Sequence, residues 1–193
     1  MKICFATNNR NKLEEIQQIL GDSFEILSLK DIGCFDDIAE PHESLEENSA
    51  EKAEYIYTRY QIPVFADDTG LEIVALDGAP GVYSARYGGP ERSAERNMTK
   101  VLAELEGAAD RSAQFRTIMT YIDESGTFQF EGIVKGRIIS ERRGEGGFGY
   151  DPIFIPDGYD QTFGELPTSE KNQISHRVRS LSKLVEFLKS RHN

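Results

Sequence analysis

The sequence is short of several things, and each shortage excludes something. It has two cysteines, Cys4 and Cys34, too few for a disulfide framework or a cysteine-built metal cage. Cys4 sits in an apolar, strand-like stretch and reads as a small core residue. No apolar run approaches the roughly 20 residues that span a bilayer. The opening "MKICFAT" has too short an apolar region for a secretory signal and no small-residue cleavage site. Cytoplasmic residence, with no membrane partner, is therefore the expectation. The chain has no internal repeat, no low-complexity tract and no linker rich in Pro, Gly or Ser. Basic residues are scarce: 22 Lys and Arg stand against 33 Asp and Glu, a formal net charge of −11. A sequence-independent grip on DNA or RNA needs Lys and Arg to displace counterions. Polymeric nucleic acid is thus excluded as a main partner, although a single nucleotide could still be bound locally.

What is present is an alternation of strand and helix patterns over 193 residues, enough chain for one or two domains and a sizeable core. Residues 2–7 and 25–29 read as strands. Residues 11–20 read as a helix, with Leu13, Ile16 and Leu20 at spacings of three and four. A helix is expected over 44–60, opened by Ser44 with Glu47 three places on, a capping-box pattern. Strands at 62–66 and 71–76 flank Asp67–Asp68, and a helix covers 91–105. The period then changes. Residues 112–122 and 127–139 are long and rich in β-branched and aromatic residues, joined by the turn sequence "DESG". A last helix over about 175–191 carries Val178, Leu181, Leu184, Val185 and Leu188 on one stripe. Early βα alternation followed by a long hairpin predicts an α/β fold with a mixed sheet.

Five stretches could carry chemistry. "ATNNRNK" (6–12) joins a strand to a helix start, where unpaired amides and the positive end of the dipole suit a phosphate. Thr7, Asn8, Asn9 and Asn11 add polar side chains there, and Arg10 and Lys12 add charge. The plainer reading is a capped, solvated helix, and the GxxxxGK[ST] pattern is absent. Asp67 and Asp68, adjacent at the end of an apolar strand, should point to opposite faces. One could ligate Mg2+, which takes one or two carboxylates plus substrate phosphates; the alternative is an Asx-turn closing a hairpin. The acidic stretch 39–48 holds Glu40, Glu43, Glu46 and Glu47, mostly surface charges, of which one could complete a metal site with Asp68. "GEGGFGYDP" (144–152) sets Phe148 and Tyr150 among glycines, as a stacking platform for a planar ligand or as a tight turn tucked into the core. "SHR" (175–177) opens the last helix, with Lys171 upstream. Cationic groups there oppose the dipole unless an anion meets them.

Taken in order, "TNNRNK", "ADDTGLEI…GAPGVYSARYGG", "GGFGYDPIF" and "SHR" resemble the inosine triphosphate pyrophosphatase family over essentially the whole chain. Thr69 stands where that family more often has Ser, and both carry a hydroxyl. The resemblance implies a single α/β nucleoside triphosphate pyrophosphatase domain, with a long central mixed sheet flanked by helices and two lobes with a cleft between them. It implies a homodimer that converts ITP, dITP or XTP to the monophosphate and pyrophosphate by water attack on the α-phosphate. Mg2+ is its implied cofactor, with Glu40 and Asp68 as ligands and Asp68 also as general base. Phosphate contacts fall on Thr7, Asn8 and Lys12 of the 7–12 motif and on the Thr69 hydroxyl. The base pocket falls on Phe148, Gly149, Tyr150 and Asp151 with Lys171, His176 and Arg177. The last two would donate to a 6-oxo group, where adenine presents a donor. Guanine keeps the 6-oxo group, so its exclusion must come from the 2-position. Rival readings are a related pyrophosphatase with another modified-nucleotide preference, a nucleotide sensor without turnover, and a structural dimerisation protein.

Overall fold

The computed structural model describes residues 2–20 and 24–191. The elements run β1 (Lys2–Phe5), α1 (Arg10–Leu20), β2 (Glu25–Leu27), α2 (Leu45–Tyr60), β3 (Val64–Ile73), β4 (Pro80–Gly81), α3 (Ala94–Glu104), β5 (Ser112–Asp123), β6 (Gly126–Ile138), β7 (Phe154–Pro156), α4 (Thr168–Ile174) and α5 (His176–Arg191). The strands form one mixed sheet in the order β2-β1-β3-β5-β6-β7, with β4 paired to β3. β1 lies parallel to both β2 and β3, whereas β4 and β7 are antiparallel to their neighbours. The expected α/β class with a mixed sheet and flanking helices is what the chain adopts. Among the described residues, no helix is long and apolar enough to cross a membrane.

The chain divides into two compact units, the division falling within β3, β5 and β6 and after the first residue of α5. In the first, β1 is buried on both faces, and its alternation sorts its side chains into two cores. Ile3 and Phe5 pack with Ile16, Leu20, Phe65, Leu181 and Leu184, from α1, β3 and α5. Cys4 and Ala6 pack with Ala53, Ile56, Val64 and Ala66, from α2 and β3. Phe5 and Phe65, in register, stack at 4.6 Å. Cys4 is fully buried, as its apolar setting predicts, and burial pushes its thiol up to about 12. The second unit's core gathers Leu71, Ile73, Val101, Leu105, Phe115, Ile138, Phe154 and Phe163.

The capping box at α2 is present. Ser44 Oγ accepts from Glu47 N at 3.2 Å and donates to the Glu47 carboxylate at 2.7 Å. The "DESG" hairpin is present as well, between β5 and β6. The two strands expected at 62–66 and 71–76 are corrected: residues 64–73 form one continuous strand, so Asp67–Asp68 sits mid-strand and not at a strand end, and the alternative of an Asx-turn is ruled out. A 3₁₀ turn takes over only at Val74–Leu76.

Candidate active site

β3 decides the character of the first unit's site. Period-two alternation puts Asp67 on the Phe65 face, toward α1 and α5, and Asp68 on the Val64 and Ala66 face, toward α2. The two carboxylates therefore meet different partners.

Asp67 is wholly buried and meets cations. Lys12 Nζ, from α1, lies 3.1 Å from Oδ1 and 3.0 Å from Oδ2. Arg177 Nε, from the start of α5, lies 3.5 Å from Oδ2, and Arg177 Nη1 donates to Glu15 of α1. Burial alone would raise the Asp67 pKa, but Lys12, Arg177 and Lys52 hold it well below the ordinary carboxylate range. The anion that the cationic start of α5 requires is thus supplied by Glu15 and Asp67 of the protein itself. The cations that Asp67 requires are likewise supplied by the protein, as Lys12 and Arg177.

Asp68 is buried as well. Asn48 Nδ2 donates to its Oδ2 at 3.1 Å. Burial pushes its carboxyl up to about 6, Lys52 and Lys12 act against this, and the charges of Glu40 and Asp67 add to it. Glu40 accepts from Lys52 Nζ at 2.5 Å, and the same ammonium donates to the Asp67 carbonyl oxygen. Against the desolvation that would raise it, Lys52 keeps the Glu40 carboxyl below its usual value. The Glu40 carboxylate is thus close enough for its charge to act on Asp68. Among the described residues, no three His, Cys, Asp or Glu side chains gather into a metal cage.

The 6–12 motif builds a helix start. Asn9 caps α1: its Oδ1 accepts from Lys12 N at 3.2 Å and its carbonyl from Leu13 N at 3.1 Å. Thr7 Oγ1 accepts from Asn9 N at 3.1 Å, and Asn8 Nδ2 donates to the Asp36 carbonyl at 3.3 Å. The amides of Arg10 and Asn11, in the first turn, have no intrahelical carbonyl to bond. Arg10 is exposed and pairs with Glu14 at 2.7 Å. Thr69 follows Asp68 on β3 and is counted with the second unit.

In the second unit Asp151 organises the glycine-rich loop. Its Oδ2 accepts from Phe148 N at 2.8 Å and from the buried Lys171 Nζ at 2.7 Å. That ammonium lies 4.8 Å from the centre of the Phe148 ring. Gly147 adopts φ +69°, and a Cβ there would overlap the Asp151 carboxylate, so only glycine fits. Gly149 also has positive φ. His176 stacks on Phe115 at 4.8 Å, which fixes its ring plane. Tyr150 is buried and donates its hydroxyl to the Ser84 carbonyl at 2.6 Å.

That bond explains the "VYSARYGG" segment, whose motif has no obvious purpose in the sequence. Ser84 Oγ accepts from Leu71 N at 2.9 Å and donates to the Gly81 carbonyl at 2.6 Å. Asn97 of α3 donates to the carbonyls of Ser84 and Ala85 and accepts from Gly88 N. The segment is a hydrogen-bonded scaffold under Tyr150.

Two polar residues of the first unit escaped the sequence reading, Asn48 and Lys52. A signal for them exists. On α2 the buried positions Leu45, Asn48, Ser49, Lys52, Ala53 and Ile56 recur at helical spacing. Polar residues inside an apolar stripe mark a buried polar cluster.

Comparison with known proteins agrees with this picture. A model of the Ham1 family matches residues 3–187. A protein of Flavobacterium johnsoniae called dITP/XTP pyrophosphatase is 50% identical over 188 residues, covering 97% of this chain and 98% of that one. One of the same name from Porphyromonas gingivalis is also 50% identical, with 97% of each covered. The solved structure of the Staphylococcus aureus Ham1 protein superimposes with a TM-score of 0.91 at 36% identity, covering 99% of this chain and 100% of that one. Fold and sequence therefore define one class, mixed-sheet α/β proteins matched over nearly their full length. The chain belongs to the Ham1 family.

Proposed function

We propose that this chain hydrolyses non-canonical purine nucleoside triphosphates, ITP, dITP and XTP, to the monophosphate and pyrophosphate, with Mg2+ assisting attack of water on the α-phosphate. The names of its two half-identical relatives support the reaction. The observation that carries it is the contrast between neighbours on β3: Asp67 is neutralised by Lys12 and Arg177, while Asp68 is pushed up to about 6 beside Glu40. A buried carboxyl of raised pKa next to a second carboxylate is suited to bind a cation and to handle a proton.

Glu40 and Asp68 would hold the metal. The donor set fits a hard dication, since two mutually repelling oxygen ligands gain from one, and Mg2+ commonly takes one or two carboxylates plus substrate oxygens. The ion, when bound, draws charge off the phosphate and lowers the pKa of a coordinated water. Asp68 would orient the attacking water and accept its proton. Thr7, Asn8, Asn9, Asn11 and the first-turn amides of α1 meet phosphate oxygens, joined by the Thr69 hydroxyl, with Lys12 and Arg10 supplying charge. Lys52 offsets the negative charge gathered around Glu40.

Phe148 offers the base a stacking face on the turn formed with Gly149, Tyr150 and Asp151, and Lys171 steadies that turn through Asp151. His176 and Arg177 donate to the 6-oxo group. A guanidinium has five N–H groups, so one side chain can serve carboxylates and a base together. Adenine sets donor against donor and is rejected. The proposal extends to one catalytic domain acting as a cytoplasmic homodimer, as the family resemblance implies; sedimentation at twice the chain mass tests the dimer.

The test of function is steady-state hydrolysis of ITP, XTP, dITP, GTP and ATP with and without Mg2+. ITP, XTP and dITP should yield pyrophosphate only with the metal, and GTP and ATP far more slowly. Equal rates on ATP, or no product from any of them, would refute the assignment.

A further inference from the structure

We propose that Asn48 is a positioning residue that locks the Glu40-bearing segment and the Asp68 carboxylate into one metal-competent arrangement; this rests on the function proposed above. Asn48 lies in the first turns of α2 and is 1% exposed. Asparagine is a mediocre helix former, and a buried amide is tolerated only when hydrogen-bonded. Here its side chain satisfies three partners. Oδ1 accepts from His42 N at 2.9 Å, while Nδ2 donates to the His42 carbonyl at 3.1 Å and to Asp68 Oδ2 at 3.1 Å. Both amide hydrogens are thereby used.

The first two bonds imitate a backbone pair and clamp the chain two residues from Glu40, in a segment with no regular structure of its own. The third fixes the rotation of the Asp68 carboxylate. One side chain thus ties together the two groups proposed as ligands, which come from a loop and from a strand. Groups that hydrogen-bond metal ligands typically change metal affinity or activity by about 10–100-fold. Neither aspartate nor alanine reproduces the set: aspartate keeps the acceptor but loses both donors, and alanine loses all three bonds.

The test uses the full-length chain, stripped of metal, as wild type, Asn48→Ala, Asn48→Ser and Ser49→Ala. Ser49 is a control on the same helix: it is fully buried, and its hydroxyl bonds Glu46 O at 3.0 Å and Thr120 at 2.7 Å, away from the carboxylates. Mn2+ binding is followed by electron paramagnetic resonance, dITP turnover against Mg2+ concentration, and folding by circular dichroism. In folded Asn48→Ala, Mn2+ should bind about tenfold or more weakly, and the Mg2+ giving half-maximal rate should rise similarly. KM for dITP at saturating metal should stay within about twofold, and Ser49→Ala should match wild type in metal response. If Asn48→Ala does not fold, Asn48→Ser, which also lacks the amide pair and adds no charge, is read in its place. Unchanged Mn2+ binding in the folded variant overturns the Asn48 role while wild-type turnover leaves the proposed function standing. Failure of both variants to fold assigns Asn48 to stability alone and also overturns it. A wild type that is inactive on dITP at any metal concentration defeats the functional reading and this one with it.

Discussion

Lys12, in the first turn of α1, spans both carboxylate oxygens of Asp67 on β3, at 3.1 and 3.0 Å. The first turn of the candidate phosphate-binding helix is thereby fastened to the strand that carries Asp68. Charge on one face of β3 is neutralised, and charge on the other is left poised.

Removing the buried partner should be costly. Asp67→Asn leaves Lys12 and Arg177 facing a neutral amide, and breaking a buried pair in this way costs about 3–5 kcal/mol. The Asp67 pKa is depressed in the folded protein, so its contribution to stability is present above the ordinary carboxyl range and is lost as the pH falls. Urea unfolding of wild type and variant should differ most near pH 7 and converge on acidification.

Asp68 has the opposite sign. Its carboxyl is raised from 3.8 to about 6, so the folded state holds the proton more tightly. The resulting stability is full below about 3.8 and is lost as the pH rises through about 6. The difference between those values corresponds to about 3 kcal/mol. In metal-free protein, Asp68→Asn should therefore gain stability relative to wild type between pH 4 and 7.5, by up to that amount. Thermal melts at the two pH values check it; a variant that loses stability across that interval contradicts the assignment.

A change at the base-reading end should appear in KM and selectivity. Arg177→Ala removes a proposed donor to the 6-oxo group and leaves Glu15 and Asp67 without their guanidinium. KM for ITP should rise and the ITP-over-ATP preference should narrow. Steady-state kinetics on both substrates measure this, and an unchanged ratio sinks the role. A stability loss of a few kcal/mol is expected alongside it.

The glycine loop offers a separate check. Gly147→Ala forces a side chain into a left-handed backbone against Asp151. KM for ITP should rise as Phe148 shifts, while Tyr150→Phe, which loses only its bond to Ser84, should lower stability by about 1 kcal/mol and leave KM nearly unchanged. Kinetics and melts on the two variants separate ligand contact from scaffolding.

Much of the architecture was legible in the chain. The strand–helix alternation, the Ser44–Glu47 cap and the hairpin at "DESG" follow from local chemistry, and all three are formed. In the sequence β3 reads as two strands because two adjacent acids look like a turn. What permits them mid-strand is neutralisation of Asp67 by Lys12, 55 residues away, and Arg177, 110 residues away. Sequence-local reasoning does not see such partners. β4 and β7, at two and three residues, are too short for an alternation to register. Of the candidate site, the helix start, Asp68 and the Phe148 loop were readable as motifs. Asn48 and Lys52 were not singled out, because polar residues on a charged helix look like its solvated face until the stripe they interrupt is noticed.

The central claim is that Asp68 performs the chemistry while Asp67 holds the site together. It is tested most directly by dITP hydrolysis in Mg2+ with wild type and Asp68→Asn, alongside a melt of each. The account expects pyrophosphate release by wild type and near-total loss in a variant that melts no earlier. Near-normal turnover by folded Asp68→Asn would contradict it.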